Sequence, residues 1–245
     1  MEFSYNALVQ WLDKTVQALV GHRKQLVLGV ITLLAAALLI VGYQWYDQRA
    51  QVKAHQAFLD AQRIYEAQVS PGHPTIITPT SAQFGSEEEK WKKVEEVFKE
   101  TYSKHKGTGI APVFLTYQAD AQAHLGKTDD AIVTLEIAVK AMSSLEIKDF
   151  YRLKLALMKM DSNKEAVKQE GFAELKKIAE ASTNYANEAG LFYIGNYFWT
   201  QKDYSQAKNY WQQLMVKYGL KEQQKDQSGF AELARSKLKL ISADW

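Results

Sequence analysis

The chain has 245 residues, and its 30 basic and 28 acidic side chains give a net charge of +2. This length is ample for a buried core, and the near balance of charge argues against a nucleic-acid-binding protein, which carries a strongly basic face. The lack of cysteine excludes a disulfide scaffold, thiolate catalysis and cysteine-based zinc or iron–sulfur sites.

Proline is rare, and its distribution indicates the fold class. Three of the four prolines lie between Pro71 and Pro79, and none follows Pro112. The proline-free part is rich in Ala, Leu, Lys, Glu and Gln, with apolar residues at spacings of three and four, which is typical of consecutive helices. We therefore predict an all-α protein.

Residues 1–24 have an amphipathic pattern. Their apolar residues recur at helical spacing, and polar residues lie on the opposite face. The apolar face contains Leu8, Trp11, Leu12, Val16 and Leu19. Such a helix beside a membrane span lies in the interface or contacts a partner in the membrane.

The next segment is uncharged. Between Lys24 and Asp47 lie 22 residues without a charged side chain. Because a helix rises about 1.5 Å per residue, roughly 20 residues cross a hydrocarbon core about 30 Å thick. We predict a transmembrane helix over residues 25–46. An aromatic belt of the kind found at membrane interfaces ends it: Tyr43, Trp45 and Tyr46.

A cleaved signal peptide is the alternative interpretation of this segment. It is disfavoured because Leu38 to Val41 continue the apolar run after the small residues at 35–37. Basic residues flank the segment equally on both sides, but a long C-terminal part is translocated largely regardless of its charge. We therefore expect a cytoplasmic N-terminus and a C-terminal domain outside.

Residues 47–111 are predicted to form an extended helix, a Pro-rich linker and a second helix. Apolar side chains at Ala54, Phe58, Ala61 and Tyr65 form one stripe of the first helix. Pro and Gly then interrupt the helical pattern over residues 70–85, which we interpret as a solvated connection, with a ligand-binding loop as the alternative. Ser86 and Glu89 have the spacing of a capping box and predict the start of the next helix.

Residues 112–245 contain an internal repeat. A copy that starts near Pro112 recurs 76 residues later, and in both copies a small residue precedes an alanine by 12 positions. Small side chains at these points let two antiparallel helices approach closely. The repeat-packing positions are Leu115, Ala119, Gly126, Ala131, Leu135 and Ala138 in the first copy, and Leu191, Gly195, Phe198, Tyr204, Ala207, Trp211 and Leu214 in the last. This layout resembles the tetratricopeptide repeat (TPR).

A weaker middle copy lies between these two. Its small residues are Ala156 and Gly171, and its connection at about residues 161–169 is predicted to carry about three extra residues. A final helix over residues 228–242, with an apolar face that includes Leu233 and Ile241, is predicted to cap a TPR-like α-solenoid of antiparallel hairpins.

The last copy offers a candidate binding surface. Phe192, Asn196 and Trp199 share one helix face and match positions that line the concave groove in the TPR family. The alternative is that the following helices cover them. By the same resemblance, a charged clamp for a peptide C-terminus is not expected, because Phe192 stands where a lysine is needed.

No catalytic pattern emerges from the sequence. The five histidines are scattered without metal-ligand spacing, and phosphate loops and nucleophile motifs are missing. We predict that the protein is not an enzyme and has no cofactor or metal.

The whole layout resembles the YfgM-like ancillary subunits of the bacterial SecYEG translocon. It combines a short N-terminus, one span ending in Gly42 to Tyr46, and repeats closed by the helix containing Leu233 to Ser242. The resemblance implies an inner-membrane protein with a periplasmic domain that associates with SecYEG and a membrane-anchored peptidyl-prolyl isomerase to assist client polypeptides. A structural scaffold of another envelope or secretion assembly is the second hypothesis.

Overall fold

The computed structural model describes residues 9–11, 23–78, 81–219 and 229–243. Of the predicted amphipathic segment at 1–24, residues 9–11 and 23–24 are helical, and the rest lies outside the described residues. The chain divides into two compact units, Met1–Lys53 and Ala54–Trp245. The predicted domain boundary at residue 112 falls within the second unit.

The described part is mostly helical, as predicted. Besides the helical residues 9–11, nine helices are seen in it, and those from Glu87 onward pack on their chain neighbours to form a helical repeat. Their bounds are α1 (Arg23–Tyr65), α2 (Glu87–His105), α3 (Ala111–His124), α4 (Thr128–Ala141), α5 (Leu145–Met160), α6 (Glu165–Glu180), α7 (Asn187–Thr200), α8 (Tyr204–Tyr218) and α9 (Gly229–Ala243).

The first unit contains the predicted membrane segment as part of α1. Its described apolar side chains are exposed on all sides, including Leu33, Leu38 and Leu39 at more than 70%. The side chains at 25–26 and 29–30 lie outside the described residues. Among the described residues, no helix has both the length and the apolar character needed to cross a membrane.

The predicted Pro-rich linker contains strands that were not predicted from the sequence. The segment after α1 forms a small sheet of β1 (Gln68–Val69), β2 (Ile76–Ile77) and β3 (Ala82–Phe84), in the order β1-β3-β2. Strand β3 pairs parallel to β1 and antiparallel to β2. Proline and glycine exclude a helix here, but β-branched residues still favour an extended backbone, and Phe84 is fully buried.

The predicted start of α2 is confirmed. The Ser86 hydroxyl accepts a hydrogen bond from the Glu89 N–H at 3.2 Å, and three glutamates occupy the first turn. The Glu89 carboxylate accepts from the Thr75 hydroxyl, which connects the sheet to the helix.

The 76-residue repeat is confirmed at the level of single residues. α3 and α7 begin at Ala111 and Asn187, and α4 and α8 begin at Thr128 and Tyr204, so both pairs of helices have the same offset. In each turn one N–H bonds the carbonyl three residues back, and the next N–H bonds the carbonyl five residues back. This pattern is a Schellman-type helix end.

Small residues bring the hairpin helices together, as predicted. Ala119 and Ala131 are fully buried in the first hairpin. In the middle hairpin a Cβ on Gly171 would lie 2.7 Å from the Ala156 carbonyl oxygen. In the third, a Cβ on Gly195 would lie 2.6 Å from Trp211 Cδ1, so the glycine makes room for the indole.

Two details of the repeats differ from the predictions. The middle connection is four residues long, 161–164, because the residues after it form the first turns of α6. The capping helix α9 exists, but Leu233 is half exposed, and Ala231 and Ala234 form its buried face together with Ile241. Alanine occupies two of these buried positions because α9 lies close to its neighbours, α7 and α8, and small side chains fit between them.

Candidate functional site

A polar junction holds the first hairpin to its neighbours. The Asp120 carboxylate on α3 accepts hydrogen bonds from the Tyr65 hydroxyl at 2.6 Å and from Lys154 Nζ on α5 at 2.7 Å. Burial acts to raise the pKa of Asp120, but the bonds from Lys154 and Tyr65 outweigh it and lower the pKa. Burial and the bond to Asp120 raise the pKa of Tyr65. The Asp120 carboxylate thus has its hydrogen-bond partners within the protein.

The equivalent position in the third hairpin is Asn196. It lies 76 residues after Asp120, and Tyr193 likewise corresponds to Tyr117. Asn196 is half buried, and its amide makes no hydrogen bond to any residue that the structure describes. An amide has both donors and acceptors, so Asn196 has unused capacity to bind a peptide group.

Asn196 lines an open groove of about 600 Å³ between the end of α5, the start of α6 and the end of α7. Its aromatic floor consists of Phe172, Tyr193 and Tyr197, all half buried. The rings of Phe172 and Tyr197 lie 4.6 Å apart between centroids and are tilted by 40°. A partly apolar groove of this size with a few polar groups is a normal binding surface.

Charged side chains surround this floor. Asp161, at the end of α5, and Glu165, in the first turn of α6, are exposed carboxylates of the groove, and Lys168 is its basic residue. None of the three has an ion-pair partner within the described ranges of the chain. Lys164 lies between the two acids in sequence, but its ammonium pairs with Asp129 at 2.8 Å.

The other two predicted binding residues lie under the capping helix. Phe192 is 7% exposed, and its ring lies 5.5 Å from that of Phe230 on α9. Trp199 is half buried, 4.9 Å from the Tyr204 ring and 5.8 Å from Trp211, with Lys237 of α9 5.5 Å from its ring centre. Of the predicted face, the structure therefore places Asn196 alone in the groove. A binding role for Phe192 and Trp199 stays a prediction.

Most predicted repeat-packing residues lie in the core, and three do not. Phe198 is half buried and stacks on Tyr210, Tyr204 is 36% exposed at the start of α8, and Gly126 is exposed in a turn with φ of 73°. Gly126 therefore allows the backbone of the turn to adopt a positive φ and does not contribute to the contact between the helices. The buried members are Leu115, Ala119, Ala131, Leu135, Ala138, Leu191, Gly195, Ala207, Trp211 and Leu214.

Sequence reasoning missed one residue that organises this region. Asn187, 2% exposed, donates its amide N–H groups to the Ile178 and Ala179 carbonyls at the end of α6. Its Oδ1 accepts from Lys217 Nζ at 2.6 Å and from the Tyr218 hydroxyl at 2.7 Å, both on α8. Asparagine at a helix start resembles an ordinary cap in the sequence, and its partners are 8 to 31 residues away.

In the part of the chain that the structure describes, no group of three or more His, Asp or Glu side chains is arranged to hold a metal ion.

Comparison with known proteins identifies the family to which this architecture belongs. The family model of the tetratricopeptide repeat-like domain matches residues 21–182, well over half of the chain. The match covers α1 to α6 with the small sheet and ends before α7, so the groove lies at its boundary. A search of curated proteins found no match. On the strength of the matched length and the stacked helix hairpins, the chain belongs to the tetratricopeptide repeat-like domain family.

Proposed function

We propose that this protein is a non-catalytic, membrane-anchored adaptor whose repeats bind polypeptide segments of partner proteins in the groove beside Asn196. The observation that carries this proposal is the contrast between two equivalent positions. Asp120 is saturated by Tyr65 and Lys154, whereas Asn196 lines an aromatic groove and its amide has no hydrogen-bond partner among the described residues. A peptide in the groove supplies the missing hydrogen bonds and covers apolar area on the three rings.

The membrane anchor is proposed for residues 25–46. Its support is the run of 22 uncharged residues and the exposure of the described apolar side chains between Val27 and Tyr46. Arg49 lies 3.8 Å from the centre of the Trp45 ring, an arrangement that suits a membrane interface. Water contact along such a surface is unfavourable, and lipid removes it.

The natural lack of cysteine makes the anchor directly testable. Single-cysteine variants at Leu34 and Gln51 are exposed to a membrane-impermeant maleimide in intact inner-membrane vesicles of both orientations. We expect Leu34→Cys to stay unlabelled until detergent is added and Gln51→Cys to react from the periplasmic side. Labelling of Leu34→Cys in sealed vesicles contradicts the anchor.

The partner proposal follows the resemblance to translocon subunits. The domain then lies in the periplasm and binds clients near SecYEG and a membrane-anchored peptidyl-prolyl isomerase. A scaffold of another envelope or secretion assembly is the alternative, because a helical repeat of this kind can equally bridge fixed partners.

Site-specific photo-cross-linking separates these proposals. A photoreactive amino acid is placed at Tyr197 in the groove and, as a control, at Val216, which is 74% exposed on α8. We expect SecYEG subunits or their clients to be cross-linked from Tyr197 alone. Recovery of another assembly supports the scaffold, and identical products from both positions reject the groove as the binding site.

A further inference from the structure

The groove beside Asn196 has an unbalanced set of charges. Asp161 and Glu165 are two carboxylates without an ion-pair partner among the described residues, and Lys168 is the single ammonium in the described lining. Two less exposed acids of the repeats do have partners: Asp120 pairs with Lys154, and Glu174 pairs with Arg152. The charged side chains that line the groove therefore sum to a net negative charge of one.

The aromatic floor adds a second attraction for a cation. Phe172, Tyr193 and Tyr197 are half buried, so part of each ring faces the groove. The cation–π contacts of the described residues involve Trp45, Trp91, Tyr218 and Trp199, and none of these rings lines the groove. Aromatic faces beside carboxylates favour a guanidinium or ammonium group, and a long side chain also covers the rings with its methylene groups.

We infer that the groove selects polypeptide segments in which an arginine or lysine is flanked by apolar residues. This inference rests on the proposed peptide-binding function and adds the chemistry of the ligand. Asn196 holds the peptide backbone, the rings contact the apolar side chains, and Asp161 with Glu165 pair with the cation. Lys168 opposes the cation and limits the affinity.

The test uses the full-length chain in detergent micelles and two fluorescein-labelled peptides, GSLFRLLSG and the same peptide with glutamine in place of arginine. Anisotropy titration is expected to give about tenfold weaker binding for the glutamine peptide. Asp161→Asn with Glu165→Gln should weaken binding of the arginine peptide about fivefold, and 0.5 M salt should produce a similar loss. Lys168→Gln should strengthen it about twofold.

Matched controls separate charge selection from a general effect. Asp130→Asn with Glu146→Gln removes the same charge from two exposed carboxylates that, like Glu165, lie in first helical turns, and it should leave binding unchanged. In the groove double variant, the two peptides should bind equally, because the partner of the arginine is gone. Circular dichroism verifies the helical content of each variant.

The outcomes distinguish the two proposals. Equal binding of both peptides to the wild-type chain, with a loss on Asn196→Ala, overturns the charge selection and keeps the peptide groove. Binding that neither Asn196→Ala nor Tyr197→Ala changes, or no binding of either peptide, overturns both.

Discussion

The first hairpin, α3 with α4, and the third, α7 with α8, share their helix lengths to within one residue, their turn and their 76-residue offset, but they fill the helix crossing differently. In the first, Ala119 and Leu135 are both buried in the core, and the Asp120 carboxylate binds Lys154 of the next hairpin. In the third, Gly195 lies against the indole of Trp211, and the neutral Asn187 side chain donates a hydrogen bond to the Ala179 carbonyl at the end of α6.

This comparison shows that a repeat can keep its backbone while the side chains at equivalent positions and their partners differ. The first hairpin uses its polar position internally, and the third leaves that position open beside a groove. Leu135 and Trp211 occupy equivalent positions, and the glycine at position 195 makes room for the larger indole.

The largest effect is expected from Trp211→Ala. The indole is fully buried, and its Nε1 donates to the Phe192 carbonyl at 3.2 Å. Removal leaves a cavity beside Gly195 and should cost about 4 kcal/mol of unfolding free energy. Urea denaturation followed by circular dichroism measures it. Trp199→Ala in the same helix pair is the matched control, and an equal loss there contradicts the special position of Trp211.

Asn187→Ala should cost about 3 kcal/mol, because it leaves two carbonyls of α6 and the Lys217 and Tyr218 groups of α8 without their partner. Thermal unfolding of the variant should begin in α7 to α9, and hydrogen exchange locates the opening. Asn209→Ala, on the exposed face of α8, is expected to change stability by less than about 0.5 kcal/mol.

Asp120→Asn should cost about 2 kcal/mol at pH 7, since the side chain is 19% exposed and solvent reduces the loss from a fully buried pair. The pKa of Asp120 is lowered in the folded chain. Its stabilisation is therefore complete above the unfolded pKa of about 4 and disappears as the pH falls through the folded pKa. The difference between wild type and variant should shrink as the pH falls below about 4; a constant difference contradicts the ionic junction.

The smallest change in stability is expected from substitutions in the turns of the first and third hairpins. Gly126 and Lys202 occupy equivalent positions with φ of 73° and 61°, but only glycine adopts this conformation without strain. Lys202→Gly should stabilise the chain by about 1 kcal/mol, and Gly126→Ala should destabilise it by about 1 kcal/mol. Lys202→Ala retains the Cβ and should bring no gain, so a gain with alanine shows that the lysine side chain itself is unfavourable.

The candidate site was only partly predictable. Asn196 was found because it shares a helix face with Phe192 and Trp199 and matches a groove-lining position of the TPR family. Phe192 and Trp199 share its face in the sequence, but α9 packs over them, and a pattern within one helix does not reveal which neighbour covers it. Phe172, Asp161 and Glu165 come from the preceding hairpin, so their contribution appears only when α5, α6 and α7 are brought together.

The amino-acid sequence by itself determined the helical class, the 76-residue repeat, the small residues at the crossings and the uncharged segment near the N-terminus, because these depend on local propensity and periodicity. Tertiary structure decided the sheet around Phe84, the saturation of Asp120 and the openness of Asn196. Each of these depends on partners far away in the chain, since hydrogen bonding and burial are settled by which helices pack together.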